Sequence, residues 1–76
     1  MGKTVYSKDY RAFLEKLKNA RIEANFTQVN AAKRLKKPQS YVSKIESGER
    51  RVDVVELQQL AKLYRKSFSF FDLSKK

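Results

Sequence analysis

Between positions 39 and 47 the side chains sort into two kinds. At about 100° per residue on a helical wheel, Val42 and Ile45 fall on one side, and Gln39, Ser40, Ser43, Lys44 and Ser47 on the other. The outer set offers an amide, hydroxyls and an ammonium and includes no carboxylate, Glu46 lying off to its side. Such groups can read base edges. A Gln amide pairs bidentately with adenine, a Lys ammonium donates to guanine, and a small Ser serves a base or a phosphate while allowing close approach. A helix facing only solvent also carries polar groups, although it usually mixes in Glu and Asp, so the wheel by itself leaves both readings open.

The charge around this segment narrows the choice. The chain of 76 residues carries 18 Lys plus Arg against 8 Asp plus Glu, a net +10. Residues 33–51 hold seven basic side chains (Lys33, Arg34, Lys36, Lys37, Lys44, Arg50 and Arg51) against Glu46 and Glu49, a net +5 in a quarter of the chain. A polyanion is the natural partner of such a body. With neither His nor Cys, imidazole and thiolate chemistry are excluded, as are a disulfide and the usual zinc ligands. No Gly-rich phosphate loop is present, and the carboxylates suit helix caps and ion pairs, so neither an enzyme nor a metal or other cofactor is expected. An RNA-binding module would interleave exposed aromatics with its cations, and the outer face at 39–47 has none except Tyr41. No run of eighteen apolar residues or apolar leader occurs, and Tyr6 stands where a myristoylation signal needs Ser or Thr. A soluble cytoplasmic protein without membrane contact is expected.

Helical periodicity dominates the elements that must hold this face. Tyr10, Phe13, Leu14 and Leu17 recur at spacings of three and four and predict a first helix over 7–24, capped by Ser7, with Asp9 in its first turn and Asn25 at its stop. A second helix should begin after Thr27, bury Val29, Ala32 and Leu35, and turn Asn30, Lys33 and Arg34 outward. Pro38 pushes Lys37 out of helical geometry, which predicts a short turn at 36–38. The third helix is expected over 39–47, ending at Gly48. The fourth starts at Asp53, with Glu56 completing a capping box, and buries Val54, Leu57, Leu60, Ala61 and Tyr64. A short turn or helix over 67–73 closes the chain. The expected fold is all-α: one compact five-helix domain spanning 1–76, with its core over about 7–73 and frayed ends.

Together these residues resemble the lambda-repressor and Cro type of helix-turn-helix protein, the xenobiotic-response-element family. The resemblance rests on Thr27-Gln28, Ala32, Leu35, Val42, Ile45, Glu46 and Gly48-Glu49-Arg50, supported by Leu17-Lys18, Arg21, Asp53-Val54, Leu57 and Leu60-Ala61. It covers roughly residues 14–73. Each sign alone is weak; the set is specific. The resemblance implies a five-helix lambda-repressor-like fold and sequence-specific binding of double-stranded DNA. It assigns base reading to Gln39, Ser40, Ser43 and Lys44, and phosphate contact to Thr27, Gln28, Lys37, Tyr41, Arg50 and Arg51. Gln28 would also brace Gln39, and Tyr41 could equally be a wall of the core. Arg21 and Glu46 match a partly buried ion pair tying the first helix to the third. Three positions depart from the family pattern. Lys36 and Arg65 stand where Gly is usual, so either the turns differ or added positive charge compensates for strain, and Ala31 replaces a larger apolar residue.

A transcriptional regulator is the function implied, a repressor acting as a homodimer on an inverted-repeat operator. The alternatives are the antitoxin of a toxin–antitoxin pair, with a protein partner, or a restriction–modification controller. Phe68, Phe70, Phe71 and Leu73 form a dense apolar cluster and are the candidate dimer surface. Phe68 and Phe71 are expected to turn inward, and Phe70 or Leu73 toward the partner.

Overall fold

The computed structural model describes residues 7–72. Four α-helices follow one another: α1 (Lys8–Glu23), α2 (Gln28–Arg34), α3 (Tyr41–Glu46) and α4 (Val54–Tyr64), then a 3-10 helix, Phe68–Phe71. There is no strand among the described residues. Local chemistry sets most boundaries. The side chains of Ser7, Thr27 and Asp53 accept hydrogen bonds from the backbone N–H of Tyr10, Asn30 and Glu56, and the Glu56 carboxylate accepts one from the Asp53 N–H, completing the capping box. Leu73 and the basic tail lie outside the described residues.

Three helices end in the same way. After α1, α2 and α4 the chain passes through a left-handed residue: Asn25 (φ 66°), Lys36 (φ 60°) and Arg65 (φ 61°). The next N–H then reaches back to a carbonyl of the last turn, Phe26 to Arg21 at 3.1 Å, Lys37 to Ala32 at 3.0 Å and Lys66 to Ala61 at 2.9 Å. This is the Schellman pattern, which satisfies carbonyls that the helix leaves open. Asn tolerates the left-handed region; Lys and Arg do not, at about 1 kcal/mol or more each. Gly48 (φ 86°) makes the corresponding turn after α3 free of that cost.

The core centres on Leu17, Val42, Ile45 and Leu60, all under 2 % exposed or at that level. Ala20, Ala31 and Ala32 have no exposed surface, and the small residue at 31 lets α2 lie close on α3. Two expected core positions are instead on the surface. Val29 is 38 % exposed and Val54 61 %. In α2 the inward stripe is Gln28, Ala31, Ala32 and Leu35; at about 100° per residue, Val29 lies roughly 110° from its centre. In α4 the stripe of Leu57, Leu60, Ala61 and Tyr64 leaves Val54 at its margin. Phe71 fills the aromatic slot beside Phe13, with ring centroids 6.1 Å apart. Phe68, expected inward, is 45 % exposed because Phe71 already occupies that slot.

Burial, and secondly the charge of Glu46, push the Tyr64 hydroxyl well above the ordinary tyrosine range. The unfolded chain therefore loses this proton first as pH rises. The stability Tyr64 contributes is complete below about pH 10 and falls away above it. Urea denaturation from neutral pH to about pH 11 should show Tyr64→Phe losing less stability at the alkaline end than the parent; an equal loss would remove Tyr64 as a source of the alkaline slope.

Candidate nucleic-acid interface

The turn before α3 begins the surface of interest. Pro38 accepts a hydrogen bond from the Tyr41 N–H at 2.9 Å, and the first α-type bond of the next element runs from Lys44 N–H to the Ser40 carbonyl at 2.9 Å. Gln39 and Ser40 therefore stand in the turn, and α3 starts at Tyr41 rather than at the expected position 39. Pro38 is the reason: its carbonyl closes a tight turn, which delays the helix by two residues. Gln39, Ser40 and Lys44 are exposed and Ser43 half-buried. The Ser43 hydroxyl donates to the Ser40 carbonyl at 3.0 Å, which leaves its oxygen to accept. The outward groups are thus an amide, hydroxyls and an ammonium.

Glu46, the carboxylate of α3, is turned away from this face. Its two oxygens accept from Arg21 Nε at 2.7 Å and from the second Arg21 nitrogen, Nη2, at 3.1 Å. Arg21 Nη1 also donates to the Phe26 carbonyl at 2.8 Å. The Glu46 hydrogen bond is the main cause that raises the Arg21 pKa above its ordinary value. Gln28 Nε2 donates to the same carboxylate at 3.0 Å. One side chain thus links α1, the first residue of α2, and α3. The expected brace between Gln28 and Gln39 is not formed, because Glu46 holds the Gln28 amide.

The expected phosphate-facing residues surround α3 unequally. Thr27 is exposed and caps α2. Tyr41 is 6 % exposed and is a wall of the core; burial raises its hydroxyl pKa, and the nearby Glu56 adds to this. Its ring carries the Lys37 ammonium at 5.3 Å and the Arg50 guanidinium at 5.2 Å from the centroid. Arg50 is exposed and forms an ion pair with Glu56. Arg51 lies 4.4 Å over the Tyr10 ring, and the Tyr10 hydroxyl accepts from the Val52 N–H at 3.3 Å. Aromatic faces attract cations electrostatically, so two tyrosines support three cations beside the helix.

Two contributors were not foreseen. The sequence pattern shows Glu56 only as half of a capping box, and Tyr10 only as part of an apolar stripe. Their second roles involve partners in other elements, and the pattern within their own helices carries no signal of them. Of the aromatic cluster, Phe71 is in the core, Phe70 is half-buried with its ring 5.1 Å from Phe71, and Phe68 alone of the described three is exposed.

Two short helices packed across a tight turn, the second presenting a carboxylate-free polar face between cations, define a helix-turn-helix DNA-binding module. The chain belongs to the helix-turn-helix family, of the Cro and xenobiotic-response-element type, whose model matches residues 17–71. No curated protein matches it. Sequence-specific DNA binding by a transcription regulator is the activity this membership supports, and the family is generally not enzymatic. No helix among the described residues is long and apolar enough to cross a membrane.

Truncating Glu46 would leave Arg21 nearly buried without its partner. Glu46→Ala is expected to cost about 3 kcal/mol, the range found when one member of a buried pair is removed, measured as the shift in urea midpoint. A loss below about 1 kcal/mol, typical of an exposed pair, would mean that the pair does not hold the helices together.

Proposed function

We propose that this protein is a transcriptional repressor that occludes promoter DNA, binding as a homodimer to an inverted repeat. The observation that carries the reading is the outward face of the Pro38 turn and α3. There Gln39, Ser40, Ser43 and Lys44 gather amide, hydroxyl and ammonium groups while Arg21 draws Glu46 inward. A groove lined by base edges accepts such a surface without meeting negative charge.

Phosphate contacts set register and most of the affinity, and base contacts set sequence. Lys37, Arg50 and Arg51 supply the first from their tyrosine platforms, with Thr27 and Gln28 at the other edge. Arg50 comes to a phosphate only by loosening its pair with Glu56; in exchange it gains a more strongly charged, bidentate acceptor. One module of this size makes few base contacts, and pairing two doubles them. Exposed Phe68 borders a hollow of about 460 Å³ whose lining includes Phe13, Leu57 and Phe71, which favours this end as the dimer surface. Two recognition faces then meet half-sites about one helical turn, ~10 bp, apart.

In vitro selection from random duplexes near ~150 mM salt, where nonspecific phosphate binding is suppressed, tests this. The expected product is an inverted repeat, and Gln39→Ala should lose about 1–3 kcal/mol of discrimination on it while binding to unrelated DNA barely changes. A selected single half-site would contradict the dimer. An equal loss on every sequence would contradict base reading by Gln39.

A further inference from the structure

The ends of α1, α2 and α4 border a second charged surface that DNA reading does not use. A groove of about 630 Å³ runs between the ends of α1 and α4, lined by Asn25, Phe26, Arg34, Lys62, Leu63 and Arg65 among others. Through Arg34, Lys62 and Leu63 it continues into a hollow of about 350 Å³ bordered by Lys36. Phe26 and Leu63, both half-buried, form its apolar floor. Arg34, Lys36, Lys62 and Arg65 are exposed, and none has a carboxylate partner among the described residues. The carboxylate in the lining, Glu23, is held by Lys66 at 2.6 Å.

Cations in the last turn of a helix complement its negative end, which accounts for Arg34 and Lys62. It does not account for Lys36 and Arg65. Both occupy left-handed backbone, at φ 60° and 61°, where glycine would carry no penalty. Strained backbone persists where something offsets it. What the two positions share is a positive side chain bordering one continuous concavity.

No residue of α3 lines this surface. Of the cations named, Lys36 adjoins Lys37 at the edge of the reading face, whereas Arg34, Lys62 and Arg65 stand at the ends of α2 and α4. A concave, partly apolar site with a polar rim suits anchored side chains, and cations without partners select carboxylates by charge complementarity. A nucleic-acid strand would need a bare aromatic face for stacking, and Arg34 already covers Phe26, its guanidinium 5.4 Å from the ring centroid.

We propose that this groove docks an acidic segment of a partner protein, with a large apolar side chain on Leu63 and flanking carboxylates on Arg34, Lys36, Lys62 and Arg65. The segment can bind while α3 is on DNA, so the regulator recruits its partner to the operator.

The test is fluorescence anisotropy of a labelled peptide of Glu and Asp residues with one central Phe, near ~150 mM salt. Two charge-matched double variants are compared, Lys36→Gly with Arg65→Gly, and Lys44→Ala with Arg50→Ala. The glycine pair should bind the peptide about tenfold more weakly or worse, yet melt at a temperature higher by about 5 °C or more, because the left-handed strain is relieved. The alanine pair should hold peptide affinity within about threefold of the parent. Replacing the central Phe by Ser should weaken binding to the parent. Equal losses in both variants would reduce the effect to bulk charge and overturn the proposal, as would unchanged affinity in the glycine pair or indifference to the Phe. If the glycine pair instead lost more affinity for a random DNA duplex than the alanine pair did, the groove would be a second nucleic-acid site, and the protein partner would be ruled out.

Discussion

A single carboxylate organises the helix-turn-helix half of this protein. Glu46 projects from α3 to meet Arg21 of α1 and Gln28 at the start of α2, so three helices share one charged contact. Burying two charges is costly, and a pair of this kind is weak evidence of net stability. Its consequence here is directional. Because Arg21 draws Glu46 inward, the outer face of α3 keeps no carboxylate, and because Gln28 donates to the same carboxylate, the start of α2 is held in a fixed relation to that face.

The helices joined in this way could not stand alone. With seven and six residues, α2 and α3 are far below the length of roughly 12–15 at which an isolated helix becomes even marginal. Val42 and Ile45, each 1 % exposed, and the fully buried pair Ala31 and Ala32 attach them to the core. Packing supplies the stability and the Glu46 contact supplies the geometry. The cations beside α3 follow the same logic, since the rings of Tyr10 and Tyr41 support them from a core that is already fixed.

Features that depend on neighbours in the chain were legible in the sequence: the caps at Ser7, Thr27 and Asp53, the turn forced by Pro38, and the left-handed stops at Asn25 and Gly48. The Arg21–Glu46 contact spans 25 positions, and only the family resemblance could bring those two residues together. Val29 departs from its expected burial because a seven-residue helix permits more than one apolar stripe, and the choice belongs to the surface it packs on. Phe68 departs from its expected burial because a run of aromatics has no period; the slot beside Phe13 admits Phe71 and leaves Phe68 outside. Periodicity continues smoothly through Gln39 and Ser40 and predicts the start of α3 two positions early, although the hydrogen bond to Pro38 keeps them in a turn. At Lys36 and Arg65 the family's turn geometry persists without its glycine, which no local propensity would foretell.

The most direct measurement is a crystal structure of the protein on its selected duplex. The expected result has Gln39, Ser40, Ser43 and Lys44 facing base edges in the major groove, Lys37 and Arg50 at the flanking phosphates, and the contact of Glu46 with Arg21 and Gln28 unchanged from the free protein. A duplex seated elsewhere, or α3 in the groove with Glu46 released from Arg21, would contradict the view that this carboxylate holds the reading face ready before DNA arrives.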